Sequence, residues 1–281
     1  MGNPVDVICN FRHSKQFAES TKMSKIPQLL EIAQYAAIDA GKAIMEIYSS
    51  GEFSIEIKQG NFPLTRADKT AHKIISEHLS KTNLPILSEE GANIEFGKRM
   101  SWEYFWLIDP LDGTKEFIHK NGEFAINIAL VKRGLPIGGV IYAPISDTLY
   151  SGSKETGIYK TEKGKLMRIS PLPERRPFDE LLQREHLEVV VSRSHMSTAT
   201  KVFMEQFKNV TITTLGSALK FMRLLEDRAD IYPRLGTTME WDTAAAHAIL
   251  NASNRGVYHT DLKSELIYNK PDLRNPYFIA F

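Results

Sequence analysis

One change of pattern along the chain restricts its possible folds more than any other feature. Residues 124–150 read as strand, turn, strand, turn, strand, which predicts an antiparallel meander. After residues 171–177, which are rich in proline and charge, strand and helix patterns alternate instead. Such alternation favours a parallel or mixed sheet with helices packed on it. The sequence therefore predicts an α/β protein in two lobes, an α+β lobe over 25–170 and a smaller α/β lobe over 171–281.

The periodicity of the apolar residues places the other elements. Helical spacing predicts helices at 27–50, from about 67 onward, and at 197–208, 217–227 and 241–250. Strand patterns occur at 53–57, 104–108, 187–192, 210–214 and 229–232, and residues 60–63 read as a turn. Residues 1–24 lack clear periodicity. We interpret them as a loose N-terminal extension, with Met23 as a candidate natural start.

Charge and cysteine content exclude several classes of protein. Lys and Arg total 35 against 34 Asp and Glu. The chain therefore lacks the global basic excess that would indicate a nucleic-acid partner. Cys9 is the single cysteine, which rules out an intramolecular disulfide and fits a reducing compartment. No apolar run approaches the ~20 residues of a membrane helix, and no signal peptide is evident. We predict a soluble, cytoplasmic protein without a transmembrane segment, with peripheral attachment at the inner membrane as the alternative.

The clearest chemical signal is the segment Asp109-Pro110-Leu111-Asp112-Gly113-Thr114. The pattern predicts that a buried strand ends at Asp109, that Pro110 fixes a turn, and that Gly113 allows close approach of the backbone. Two carboxylates held on such a turn suit oxygen ligation of a hard cation such as Mg²⁺. An isolated Asp-Gly turn would be an ordinary turn. The preceding apolar run, the second acid and the hydroxyl favour a functional site.

Three further segments are weak when each is taken alone. Exposed glutamate pairs such as Glu89-Glu90 are common. Asp242 stands before an alanine-rich helix, where an ordinary N-cap would stand, and Asp68 stands near the start of another helix. His247 is interpreted as a packing residue. The order and spacing of these segments along the chain are more informative than any one of their residues.

Together the segments resemble the inositol-monophosphatase-like superfamily of metal-dependent phosphatases. Its marks are an acidic pair, an Asp-Pro-x-Asp-Gly-Thr turn and a late Trp-Asp-x-Ala-Ala helix start, which occur here at 89–90, 109–114 and 241–245. The longer runs at 106–117 and 121–124 resemble the CysQ branch, the 3'(2'),5'-bisphosphate nucleotidases. The resemblance extends from about residue 26 to the C-terminus. It implies a layered αβαβα sandwich of the sugar-phosphatase type.

The resemblance also implies a site for two or three Mg²⁺ ions. The implied metal ligands are Glu89, Asp109, the Leu111 carbonyl, Asp112 and Asp242. Thr114, paired with Asp68, is implied to orient the attacking water, with Glu89 helping to deprotonate it. The amides of Gly113 and Thr114 are implied to face the phosphate. The family is generally sensitive to lithium.

Substrate residues follow from the nucleotidase branch. The positions implied to surround the substrate are His195, Ser217, Lys220, Arg234 and Asp242. The expected reaction converts adenosine 3',5'-bisphosphate to AMP and phosphate, as part of sulfur metabolism. The alternatives are an inositol monophosphatase or sugar-phosphate phosphatase of the same fold, and a catalytically inactive phosphate-binding regulatory protein. The oligomeric state stays open.

Overall fold

The computed structural model describes residues 25–58, 62–193 and 196–281. The predicted N-terminal extension and His195 lie outside these residues. The helices are α1 (Ile26–Ser50), α2 (Arg66–Ser80), α3 (Phe96–Arg99), α4 (Thr114–Ile118), α5 (Phe178–Gln183), α6 (Thr198–Met204), α7 (Leu219–Leu225) and α8 (Ala244–Ala252). A 3₁₀ turn occupies Glu240–Asp242. None of the helices in the described ranges is both long enough and apolar enough to cross a bilayer.

The strands form four hydrogen-bonded groups. In chain order they are β1 (Glu56–Lys58), β2 (Phe62–Leu64), β3 (Ile86–Ser88), β4 (Tyr104–Asp112), β5 (Ala125–Lys132), β6 (Leu135–Ala143), β7 (Thr148–Ser153), β8 (Gly157–Glu162), β9 (Lys165–Ile169), β10 (Leu187–Ser192), β11 (Val210–Leu215), β12 (Tyr232–Arg234), β13 (Val257–His259) and β14 (Phe278–Ala280). The central sheet has seven strands in the order β3 to β9. The β3–β4 pair is parallel and the other pairs are antiparallel. The predicted meander is confirmed as β5, β6 and β7, and it continues through β8 and β9, which the sequence analysis did not predict.

Alternate residues of β4 divide between two cores, one on each face of the central sheet. Trp106 and Ile108 pack beneath α1 and α2. Phe105 and Leu107 pack on the other face with residues of α7 and α8. Side chains of a strand alternate in this way, so a strand apolar at every position must be covered on both faces. The unbroken apolar run at 104–108 therefore explains why the sheet is covered by helices on both sides.

A second group of strands completes the layers. Strands β10 and β11 are parallel, and Val189 of β10 forms a parallel bridge to Ile231, just before β12. Strand β14 pairs antiparallel with both β12 and β13. One face shares the core of α7 and α8, and the other packs against α5 and α6. The order α1–α2, sheet, α7–α8, sheet, α5–α6 confirms the predicted αβαβα sandwich. Since the core of α7 and α8 joins residues from both halves of the chain, the lobe boundary at residue 170 stays a prediction.

Several predicted boundaries are wrong around the acidic segments. Strand β4 does not end at Asp109 but continues to Asp112, with its register against β5 shifted between the two aspartates. Residues 60 and 61 of the predicted turn at 60–63 lie outside the described residues, and its other two residues begin β2, where Pro63 pairs with Ile57. Proline at an edge strand costs little, because its missing amide is not needed for pairing. The predicted strand at 53–57 begins only at Glu56.

Candidate active site

One pocket gathers nearly all of the predicted site residues. Its lining includes Glu89, Asp109, Leu111, Asp112, Gly113, Thr114, Ser217, Lys220, Arg234 and Asp242. We call Glu89, Asp109, Asp112 and Asp242 the acidic wall, and Ser217, Lys220 and Arg234 the cationic wall. The acidic wall draws on residues 89–242 and the cationic wall on residues 217–234, and both line the same pocket.

A bulge in β4 aims the first two carboxylates of the acidic wall. Between Asp109 and Asp112 the strand carries residues without a regular partner on β5, and Pro110 lies inside this irregularity. The Leu111 amide donates to Asp109 Oδ1 at 3.1 Å. A bulge bends a strand and redirects its side chains, so both acids can face one pocket instead of alternating between faces. Because β4 has a neighbour on each side, the bulge stands on a rigid support.

Thr114 and Asp68 form the predicted pair. Thr114 Oγ1 donates to Asp68 Oδ1 at 3.1 Å and lies 3.3 Å from the Leu111 carbonyl oxygen. The other oxygen, Asp68 Oδ2, accepts from the amide of Thr65 at 2.7 Å and from its hydroxyl at 2.6 Å. Thr65 is the N-cap of α2, so Asp68 completes a capping box and also reaches the site. Burial raises the pKa of the Asp68 carboxyl.

Gly113 is required by the backbone at the end of the bulge. Its φ of 95° lies in the left-handed region. A Cβ here would stand 3.0 Å from the Glu123 carbonyl oxygen and 3.3 Å from Phe124 Cα. Glycine avoids both the strain and the contact. The chain can therefore turn from β4 directly into α4, which begins at Thr114.

The acidic wall concentrates negative charge in a buried place. The pKa of Asp109 is raised well above its usual range by burial, and further by the charges of Glu89, Asp112 and Asp242. The pKa of Asp242 is raised by burial, then by Asp112 and Glu89. Like charges close together disfavour ionisation of one another. A bound cation would relieve this repulsion. In the ranges that the structure describes, no three His, Cys, Asp or Glu side chains already form a closed ligand cluster.

Asp242 is not the N-cap of α8, as its sequence position suggested. It lies in the 3₁₀ turn, where its Oδ2 accepts from the Met239 amide at 2.8 Å, and Thr243 precedes α8 instead. The turn is held by the C-terminal segment: the Glu240 amide donates to the Leu273 carbonyl, and Asn275 Nδ2 donates to the Met239 carbonyl at 2.6 Å. These residues were missed because nothing local in the sequence connects them to Asp242.

The cationic wall is buried rather than solvated. Lys220 is 5% exposed and Arg234 is 8% exposed. Lys220 Nζ donates to the Ser217 carbonyl at 2.5 Å and lies 5.4 Å from the centre of the Tyr232 ring. Burial lowers the pKa of Lys220 to about 8. Arg234 Nη2 donates to the Thr237 carbonyl at 2.9 Å. Both cations therefore belong to the buried lining of the pocket rather than to the solvated surface.

Asn127 is a site residue that sequence reasoning missed. Its Nδ2 donates to Asp112 Oδ2 at 3.1 Å, and the Ala218 amide donates to the same oxygen at 2.5 Å. Asn127 is the polar exception within the apolar run of β5, and it is buried. A buried amide needs hydrogen-bond partners, so this interruption was a usable signal. His247, in contrast, is buried between Tyr268 and Glu265, which agrees with the packing role expected for it.

Comparison with known proteins agrees with the fold. The model of the inositol monophosphatase family matches residues 26–280, and the chain belongs to this family. Among curated proteins, the 3'(2'),5'-bisphosphate nucleotidase CysQ of Buchnera aphidicola is 42% identical over 221 residues, covering 77% of this chain and 79% of that protein. CysQ of Salmonella typhimurium is 38% identical over 253 residues, covering 89% and 98%.

A solved structure extends the comparison to three dimensions. The crystal structure of CysQ from Bacteroides thetaiotaomicron, a bacterial member of the inositol monophosphatase family, is 38% identical with a TM-score of 0.76. The alignment covers 90% of this chain and 96% of the Bacteroides thetaiotaomicron chain. The family predicted from residues 89–90, 109–114 and 241–245 and the branch predicted from residues 106–117 and 121–124 are thus confirmed.

Proposed function

We propose that this chain is a Mg²⁺-dependent 3'(2'),5'-bisphosphate nucleotidase, which converts adenosine 3',5'-bisphosphate to AMP and phosphate. One observation carries the proposal: a single pocket sets four carboxylates opposite two buried cations. A substrate with two phosphates suits such a pocket, because one phosphate can meet metal ions at the acidic wall and the other can meet Lys220 and Arg234 directly. The CysQ relatives support this assignment through the activity that their names state.

The donor set fits magnesium. All proposed ligands are oxygen atoms, and hard cations such as Mg²⁺ prefer carboxylate and carbonyl oxygen. We assign Glu89, Asp109 and the Leu111 carbonyl to one ion, and Asp109, Asp112 and Asp242 to another, with two or three ions in all. The raised pKa values of Asp109 and Asp242 support this, since a cation would stabilise their ionised forms. When bound, such ions neutralise phosphate charge and acidify the attacking water.

A need for strong charge stabilisation follows from the reaction itself. Hydrolysis of phosphate monoesters is among the slowest uncatalysed reactions and needs acceleration of up to ~10²¹-fold. A positioned general base contributes only about 10²–10⁴-fold. Carboxylates alone would repel the dianionic substrate. The acidic wall therefore makes chemical sense for this reaction only as a cation site.

The attacking water would be oriented by Thr114 and Asp68 and deprotonated by Glu89. A hydroxyl has one proton to donate. Because the Thr114 hydroxyl donates its hydrogen bond to Asp68, its lone pairs stay available to accept a hydrogen bond from the attacking water. Glu89, on the same pocket, would take the proton that the water loses. The amides of Gly113 and Thr114 would face the phosphate oxygens, where backbone donors stabilise developing charge.

The cationic wall would select the second phosphate. The pKa of Lys220 is lowered by burial, which the negative charges of Asp112, Glu116 and Asp242 offset only in part. An anionic group of the substrate would supply further compensation. Charge-assisted contacts of this kind are roughly twice as strong as neutral ones. His195 is assigned to the same side from its sequence position, outside the described residues.

A phosphate-release panel tests the proposal. Adenosine 3',5'-bisphosphate, inositol 1-phosphate and a sugar phosphate would each be assayed with and without Mg²⁺. We expect the bisphosphate to be the best substrate, and only with Mg²⁺ present. Faster turnover of inositol or sugar phosphate would favour the alternative phosphatases. Absence of Mg²⁺-dependent release from every substrate would favour the inactive regulatory protein. Cytoplasmic location and a role in sulfur metabolism remain part of the same proposal.

A further inference from the structure

The segment Gly216–Ser217–Ala218 is fixed at both ends by carboxylates, those of Glu123, before β5, and of Asp112, at the end of β4. The Gly216 amide donates to Glu123 Oε2 at 2.8 Å, and the Ala218 amide donates to Asp112 Oδ2 at 2.5 Å. Ser217, between them, has a φ of 56°. Non-glycine residues rarely adopt this left-handed conformation, and it persists where the surroundings impose it. The two carboxylates provide that restraint.

Arg193 in turn fixes the Glu123 side chain. Arg193 Nε donates to Glu123 Oε2 at 2.7 Å and its Nη2 donates to Oε1 at 2.5 Å, a bidentate pair. The same Nη2 donates to the Thr214 carbonyl at 3.1 Å, and the Arg193 amide donates to the Leu215 carbonyl. A bidentate guanidinium restricts both the position and the plane of a carboxylate. Glu123 is 17% exposed, so its charge is partly shielded from solvent by this arrangement.

Packing leaves Gly216 little room to move relative to Glu123. A Cβ on Gly216 would stand 2.7 Å from the Glu123 carbonyl oxygen and 2.8 Å from Glu116 Cγ. The backbone of the segment is therefore pressed directly against Glu123. Lys220 depends on the same segment, because its Nζ donates to the Ser217 carbonyl at 2.5 Å. A shift of Glu123 would be transmitted to two members of the cationic wall.

We propose that Glu123, oriented by Arg193, is a positioning residue that sets the place of Ser217 and Lys220 and so the preference for a substrate with a second phosphate. This inference rests on the proposed function. Glu123 acts through the Gly216 amide, whereas Asp112 restrains the other end of the segment. Loss of the Glu123 contact would therefore loosen the Gly216 end and leave the Ala218 end attached to the acidic wall.

The test is Glu123→Gln, which keeps the size of the side chain and removes its charge. Kinetics would be measured with adenosine 3',5'-bisphosphate and with p-nitrophenyl phosphate, beside thermal unfolding. Hydrogen bonds to charged groups contribute about 1.5–3 kcal/mol, so we expect KM for the bisphosphate to rise about tenfold. We expect kcat for the bisphosphate and both constants for p-nitrophenyl phosphate to change less than about twofold, because the metal ligands are untouched.

Glu103→Gln is the matched control. Glu103 also pairs with an arginine, with Arg133 Nη2 at 3.0 Å from its Oε1, but it precedes the start of β4, at the end of the strand away from Asp112. This variant should leave KM and kcat unchanged for both substrates. Arg193→Ala is the second variant, used also if Glu123→Gln does not fold. It should raise KM for the bisphosphate less than Glu123→Gln does, because the Gly216 contact remains, and Arg193→Lys should recover part of the loss.

Three results would overturn the inference, and they separate it from the proposed function. An unchanged KM in Glu123→Gln, with a wild type that prefers the bisphosphate, removes the positioning role and leaves the proposed function standing. Equal losses on both substrates mean that Glu123 supports the fold or the acidic wall instead. A wild type without preference for the bisphosphate removes the proposed function and this inference together.

Discussion

The acidic and cationic walls of the pocket are supported in different ways. Asp109 and Asp112 lie three positions apart on one bulged strand, inside the seven-stranded sheet. Ser217, Lys220 and Arg234 come from a loop, a helix and a short strand, and the loop is held by Asp112 and Glu123. Two of the four carboxylates of the acidic wall thus form one local motif on a paired strand, whereas Asp242 lies in a turn held by the C-terminal segment. The cationic wall is an assembly of separate elements.

This difference separates chemistry from selectivity. The strand that bears Asp109 and Asp112 is paired with both β3 and β5, so we expect its geometry to change little when a distant residue is altered. The cationic wall depends on side chains such as Glu123, whose loss would loosen the segment that contains Ser217. We expect changes in the acidic wall to affect every substrate. Changes in the cationic wall should affect only substrates with a second phosphate.

The largest expected effect is that of Asp109→Asn. Loss of a shared ligand should reduce turnover of every phosphomonoester by more than about 100-fold. Even the residues that only orient metal ligands lower metal affinity or activity by about 10–100-fold when they are changed. The folded protein without metal should become more stable. The folded pKa of Asp109 lies above its unfolded value, so ionising it costs stability as pH rises, and asparagine removes that cost.

Calorimetric Mg²⁺ titration, phosphate release and thermal unfolding in a chelator would check this prediction. Asp179→Asn, at an exposed position in the first turn of α5, is the control and should change none of the three. Unchanged Mg²⁺ affinity in Asp109→Asn would contradict the ligand assignment. A loss of stability without metal would contradict the electrostatic argument.

Lys220→Met should show the selective effect of the cationic wall. Methionine keeps a long apolar side chain at this buried position and removes the ammonium. We expect KM for adenosine 3',5'-bisphosphate to rise about 10- to 100-fold, from the loss of a charged contact. Arg234→Ala should act in the same direction. Kinetics with p-nitrophenyl phosphate, measured in parallel, would show whether the loss is confined to the bisphosphate. Similar losses on both substrates would contradict the separate roles of the two walls.

The pH dependence of substrate binding follows from Lys220. Its pKa is lowered to about 8 by burial, so the side chain is charged below this pH and neutral above it. Affinity for the bisphosphate should therefore be greatest below about pH 8 and decline above it, by about tenfold for each pH unit. A KM profile from pH 7 to 10 measures this decline. Lys220→Arg stays charged throughout and should give a flatter profile.

Lithium sensitivity gives the smallest expected effect and tests the acidic wall. The family resemblance implies that Li⁺ takes one Mg²⁺ position. Because the reaction needs metal ions to stabilise phosphate charge, we expect millimolar lithium to reduce the initial rate by at least about half. Rates of the wild type and of Lys220→Met, each at saturating substrate, would be compared. Inhibition that disappears in Lys220→Met would place the lithium effect outside the acidic wall.

Local sequence was sufficient for much of the scaffold. The helix at 27–50, the meander at 124–150 and the alternation after residue 177 were predicted because apolar periodicity reports directly on which face of an element is buried. Boundaries were less accurate around Asp109, because a bulge keeps a strand paired while breaking its regular register. Strands β8 and β9 and the short helices α3, α4 and α5 were missed, since their patterns are brief.

The sequence by itself determined the family, the fold class and the candidate ligands, because the carboxylates of β4 form a motif readable over six residues. The family resemblance pointed to Lys220 and Arg234, but tertiary structure alone decided that both are buried in the lining of the pocket. Lys220 and Arg234 resemble surface residues until packing buries them. Glu123, Asn127 and Asn275 gain their roles through contacts with residues far along the chain. Such contacts leave no periodic pattern, because a hydrogen bond between distant segments depends on where the folded layers bring them together.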